Sequence, residues 1–160
     1  NYTMREIPIE GDFISFASEI GAILNRHAKK INQIESDNEK KMMESRRSMG
    51  RIARFVFHLE DALKESEKQM LDAGLRRIFK RMRVIKDQLK SRLFKQGYTW
   101  LDPMGKDFEE IANFADVIGW RHRSDFDREI VDETIEPVIL YQGEVLLESS
   151  VIMGASECDE

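Results

Sequence analysis

From Asp12 to Ser66 the chain contains no proline, and glycine occurs there only at Gly21 and Gly50. Within that run Phe13, Phe16, Ile20, Ile23, Ile31 and Ile34, and later Met49, Ile52, Val56, Leu59 and Leu63, follow one another at steps of mostly three and four. Such spacing puts the apolar side chains on one side of a long helix. An unbroken helix over 12–66 would be about 80 Å long at about 1.5 Å per residue. No compact chain of 160 residues needs an arm of that length. It is expected to lie against another copy or a partner. Residues 1–11, with Pro8 and Gly11, read as an extended lead-in, and Asp12 as the helix N-cap.

A second helix follows. Ser66-Glu67-Lys68-Gln69 has the S-x-x-Q form of a capping box. Leu71, Leu75, Ile78, Met82, Ile85, Leu89 and Leu93 then step at three or four, Lys95 falls in the last turn, and Gly97 suits the position just past the end. The expected hairpin pairs helices of roughly 49–65 and 69–96, each with a single apolar stripe. Two copies would bury those stripes as a four-helix bundle. The expected dimer interface is Ile52, Val56, Leu59 and Leu63 from one helix with Leu75, Ile78, Met82, Ile85 and Leu89 from the other. Upstream the seam is weaker, because His27, Asn38, Lys41 and Ser45 occupy it with only Ile31, Ile34 and Met42 to bury.

From Tyr98 the period shortens. Tyr98–Leu101, Val117–Trp120, Ile130–Ile135, Val138–Tyr141, Val145–Leu147 and Val151–Met153 read as short strands. Asp102-Pro103-Met104-Gly105 reads as a turn, and Gly143 marks a tight hairpin. Phe108, Ile111 and Ala115 suit one face of a short helical turn. The expected fold class is α+β, with a lead-in (1–11), a helical arm (12–48), a dimerising helical hairpin (49–97), a small all-β domain (98–154) and a polar tail (155–160).

Charge is segregated. The chain nets zero over residues 1–69, +7 over 70–97 and -12 over 98–160. The basic helix admits a nucleic-acid reading, against which overall acidity counts, since phosphate binding favours a dominant positive field. A solvated face opposite the apolar stripe is the alternative. Little points to an enzyme. His27, His58 and His122 match no metal-ligand spacing, and neither a phosphate loop nor a nucleophile elbow is present. Trp120-Arg121-His122-Arg123-Ser124-Asp125 is read as a polar turn rather than a catalytic cluster. No metal or cofactor is expected. Apolar stretches such as Val138–Tyr141 fall far short of the roughly 20 residues that span a bilayer. The single cysteine, Cys158, can form no internal disulfide, and a cytoplasmic setting is expected. Asn1 is read as lying downstream of the true N-terminus.

Three stretches resemble GrpE, the family of nucleotide-exchange factors for DnaK-type chaperones. Arg51–Leu63, with Leu59, Ala62 and Leu63 in matching places, is similar to that family's "LLPVLDNLERAL". Gly74-Leu75 through Lys95-Gln96-Gly97-Tyr98 resembles its second bundle helix. Gly105–Glu110 followed by Ala115 is similar to its "G-x-P-F-D-P…H-E-A" entry to the β domain, and Gly143–Ile152 sits where that family closes. The resemblance covers roughly residues 50–154 and implies a homodimer that binds the chaperone's ATPase domain and promotes ADP release. Carried over position by position, it marks Asp107, Phe108, Glu136, Val145, Glu148 and Met153 as partner contacts. Asp107 and Glu110 replace two prolines of that family, Asn113 a histidine, and Val145 and Glu148 two arginines. The scaffold pattern is kept while the chaperone-facing residues differ.

The polar seam generates one expectation for stability. The arm should unpair before the hairpin melts, giving two separated transitions in far-UV circular dichroism on heating. A single cooperative melt would count against it.

Overall fold

The computed structural model describes the backbone of residues 9–157 and the side chains of residues 15–157. Residues 1–8, the side chains of Asp12 and Phe13, and Cys158 lie outside the described residues. The chain is α+β: two long helices, then six strands in two three-stranded sheets. It divides into two compact units, residues 1–44 and residues 45–160.

The first helix, α1, runs Ile9–Asp72. Because the backbone is already helical at Ile9, Asp12 lies inside the helix and does not cap it, and residues 9–11 belong to the helix rather than to a lead-in. In the first unit Phe16, Ile20, Ile23, Leu24, Ile31 and Ile34 are exposed along α1.

The junction between the helices is about seven residues later than the capping-box reading placed it. Ser66–Gln69 sits within α1, and Leu71 belongs to α1 too. The stop comes at Gly74, whose φ of +79° only glycine adopts freely. There Leu75 N–H donates to the Met70 carbonyl at 2.8 Å and Gly74 N–H to the Leu71 carbonyl at 3.1 Å. These two bonds form a Schellman closure that satisfies the last carbonyls of α1. The cap signal at Ser66 lost because nothing near it interrupts helical hydrogen bonding, whereas a left-handed residue must. The second helix, α2, spans Arg76–Lys95. Gly97, with φ of +90°, follows its end as expected.

Strand β1 is Tyr98–Leu101, β4 Val138–Tyr141 and β5 Glu144–Leu147; they form an antiparallel sheet in the order β1-β4-β5. Gln142 and Gly143, both at positive φ, make the two-residue turn between β4 and β5. The second sheet has the order β2-β6-β3, from β2 (Ala115–His122), β3 (Ile130–Glu136) and β6 (Ser149–Ala155). Here β6 pairs parallel with β2 and antiparallel with β3. A short helix, α3 (Phe108–Ile111), precedes β2. Two readings of the sequence are corrected. Arg121 and His122 extend the expected strand to complete β2 and are not a turn, and Ala155 closes β6 and is not tail. Both stretches are polar or small, yet the ladder with a neighbouring strand holds them extended.

Two cores hold the second unit together. One joins Ala53 and Val56 of α1 to Leu93 of α2, Tyr98 of β1 and Ile139 of β4. The other, Ile111, Val131, Val151 and Met153, lies between α3 and the second sheet. Helix α1 passes unbroken through Gly50, which is there for close approach. A Cβ at Gly50 would stand 3.1 Å from both Leu146 Cδ2 and Leu147 Cδ1. Replacing Gly50 with leucine should therefore lift β5 from α1 and destabilise the fold by about 1–3 kcal/mol. Urea melts comparing Gly50→Leu with Gly21→Leu, whose site is open, measure this. An equal effect at both positions would refute the contact.

Candidate functional site

Two surfaces stand out in the second unit. On the hairpin, the residues expected at a dimer interface separate into two groups. Val56 and Leu63 are buried within the chain, and Leu59 is half-buried. Leu63 is buried within its own chain, while Val56 and Leu59 form part of the floor of the groove between the helices. Ile52, Leu75, Ile78, Met82, Ile85 and Leu89 are exposed. Phe55, which the stripe reading passed over, is 73% exposed. Together with Met49 and Leu93, the exposed Ile52, Phe55 and Leu89 line an apolar groove of about 330 Å³ between the two helices.

The charges holding this hairpin closed are placed from both helices. Glu60 of α1 accepts from Lys90 Nζ at 2.9 Å and from Lys86 Nζ at 3.3 Å. Lys86, only 7% exposed, also meets Asp87 at 2.6 Å. Burial pushes the Glu60 carboxyl up, but the hydrogen bonds from Lys90 and Lys86 outweigh it, and Glu60 ends below the ordinary value of 4.5. The Asp87 hydrogen bond, against the opposing effect of burial, lifts Lys86 above 10.5, with Glu60 adding to the rise.

The second surface belongs to the β region. Phe108 of α3 and Trp120 of β2 place their rings 6.2 Å apart. Both are partly exposed, and Ile118, which the register of β2 with β6 skips, is 55% exposed. Beside them Asp107 pairs with Arg128 at 3.2 Å. Arg121 of β2 reaches Asp132 at 2.9 Å and also pairs with Glu133 of β3. Aromatic anchors rimmed by fixed charges are the composition of a protein-binding surface rather than of a catalytic cleft.

The contacts carried over from the resemblance are scattered. Asp107 and Phe108 adjoin this aromatic patch. Val145, on β5, is exposed elsewhere on the first sheet. Glu136 is engaged inside the chain: its carboxylate lies 3.0 Å from His58 Nε2 and 3.6 Å from Arg54 Nε. Arg54 also donates to the Glu148 carbonyl, so Glu148 contributes its backbone to the same seam while its side chain is exposed. Met153 is fully buried in the second core and offers a partner nothing. Its strand is central, so its inward residues cannot reach solvent. Trp120 and Ile118 were missed. The ladder of β2 with β6 is irregular between Val117 and Gly119, so alternation along the strand does not reveal them.

Among the described residues, no group of three or more His, Cys, Asp or Glu side chains is placed to hold a metal, and no helix is long and apolar enough to cross a membrane. No protein-family model matches the chain, and no curated protein matches it.

The Glu60 clamp has a pH signature. A carboxylate held below its unfolded value stabilises the fold above that value, and this contribution is lost as pH falls through the folded one. Glu60→Gln should cost about 1–3 kcal/mol at pH 7. The difference from wild type in urea midpoint should shrink once pH drops below about 4.5. A gap that stays constant down to acid pH would show that the charge of Glu60 is not what stabilises.

Proposed function

We propose that the chain is a GrpE-like exchange factor, a homodimer that binds the ATPase domain of a DnaK-type chaperone and promotes ADP release without chemistry of its own. The observation that carries this reading is the exposed stripe of Ile52, Phe55, Ile78, Met82, Ile85 and Leu89 on a hairpin that leads into a small β region. Two copies burying that stripe give a four-helix bundle with two β regions held for a partner. The order of elements and the motifs at Arg51–Leu63 and Gly105–Glu110 support the family assignment. The proposed setting is cytoplasmic.

The mechanism is linkage. An exchange factor binds the open, nucleotide-free ATPase domain better than the closed, ADP-bound form, so ADP must bind more weakly in the complex. A thousandfold loss of ADP affinity corresponds to about 4 kcal/mol of coupling. In this reading Phe108, Trp120 and Ile118 form the anchoring patch on the β region, with Asp107 at its rim. The Arg54–Glu136–His58 seam keeps the β region seated while it presses on the partner. Val145 and Glu148 remain contact candidates on the first sheet.

A second reading is a dimeric scaffold or adaptor with this fold and no exchange activity. The internal engagement of Glu136 and the burial of Met153 favour it, since both positions are then structural. One experiment separates the two. Release of a fluorescent ADP analogue from the cognate DnaK-like ATPase is timed with and without the chain, alongside light scattering at micromolar concentration. Exchange predicts faster release by a dimer, with Trp120→Ala slowing release at least tenfold while the dimer persists. Stable binding with unchanged release selects the scaffold. A compact single-chain particle in solution removes both.

A further inference from the structure

Helix α2 carries a cationic face that neither the hairpin nor the β region uses. At about 100° per residue, Arg76, Arg77, Lys80, Arg81, Arg83 and Lys95 fall on one arc. That arc is centred roughly 150° from the apolar stripe of Ile78, Met82, Ile85 and Leu89. The buried side of the helix, Phe79, Lys86 and Leu93, points elsewhere again. All six cations are exposed. Among the described residues none of the six forms a side-chain hydrogen bond or ion pair. The only acid in α2, Asp87, is held by Lys86 at 2.6 Å.

The placement works against the helix itself. The first turn of α2 contains no acidic residue and its N-cap, Leu75, makes no side-chain cap bond. Arg76 and Arg77 instead stand at the positive end of the helix dipole, where cations destabilise. An anion lying along the face would relieve both this and the mutual repulsion of the arc.

We propose that this outer face of α2 binds the phosphate backbone of a nucleic acid. Five of the six, Arg76 to Arg83, lie within about 11 Å of the axis of α2, and Lys95 stands about 18 Å further along, so the face meets phosphates as one dense cluster and one outlying contact. Four of the six are arginines, whose planar fork suits phosphate oxygens. The arc has little apolar surface to form the dry centre of a protein interface. Its two large apolar members are Val84 and Phe94, and the Phe94 ring is taken by Trp100 at 5.1 Å. The acidic β region lowers the affinity but acts mainly within the ~8 Å screening length at physiological salt. This inference stands apart from the exchange reading, because it uses neither the apolar stripe nor the β region.

Fluorescence anisotropy of the full chain with a labelled 30-nucleotide single-stranded RNA, and with a DNA duplex of that length, tests it. Binding is expected at 50 mM salt and, if all six cations engage, should weaken about 300-fold for the single strand and more than about 1,000-fold for the duplex at 200 mM. The variant Arg77→Gln/Arg81→Gln/Lys95→Gln should bind at least tenfold more weakly with an unchanged far-UV spectrum. Arg77→Lys/Arg81→Lys, which keeps the charge, should retain most of the binding and guards against misfolding as the cause. No binding at 50 mM, or equal binding by the neutralised variant, overturns the proposal. So does tighter binding to poly-L-glutamate than to either nucleic acid, which assigns the face to an acidic protein.

Discussion

Both α2 and the first sheet depend on the seat offered by one stretch of α1, between Met49 and Glu60. Four different interactions sit on it in turn. Gly50 admits Leu146 and Leu147 of β5, and Ala53 and Val56 enter a core with Leu93, Tyr98 and Ile139. Arg54 and His58 meet Glu136, and Glu60 receives Lys86 and Lys90. Small residues set the distance, and charged ones set orientation. Because helix, sheet and clamp share about three turns of one helix, displacement of any of them disturbs the others. The β region is thereby held in a fixed relation to the hairpin from which both proposed surfaces are built.

Much of this was legible in the sequence. Strands Tyr98–Leu101 and Val138–Tyr141 lie where composition placed them, since each is bounded by residues that stop a ladder, Gly97 and Pro137 among them. Helical periodicity located both helices. Their junction was misplaced because a capping box is a local preference of about 1 kcal/mol that a continuing helix overrides, while a left-handed glycine is an obligation. The pairing of strands was beyond reach. Alternation says which face of a strand is apolar, and nothing in it specifies that β6 runs between β2 and β3.

The candidate surfaces were legible to a lesser degree. Periodicity gathers Val56 and Ile52 into one stripe, but burial parts them, because a hairpin must spend some of its apolar side on itself before offering the rest. Glu136 looks like a free surface acid in the sequence, and only the fold brings Arg54 and His58 to it from 82 and 78 positions away. Trp120 was legible as the end of a strand but not as part of a surface. Its neighbour Phe108 comes from a different element, and a patch made of two elements has no period.

The place of β6 has a consequence for how this protein folds. The middle strand of the second sheet follows both of its neighbours in the sequence and carries the pairing of β2 and most of that of β3, whose Ile130 also bridges to Asp107. Until β6 docks, β2 and β3 present edges that lack their central partner, so the second sheet closes in one step from separated parts of the chain. Refolding at high protein concentration therefore exposes this sheet, more than the first, to pairing with neighbouring molecules.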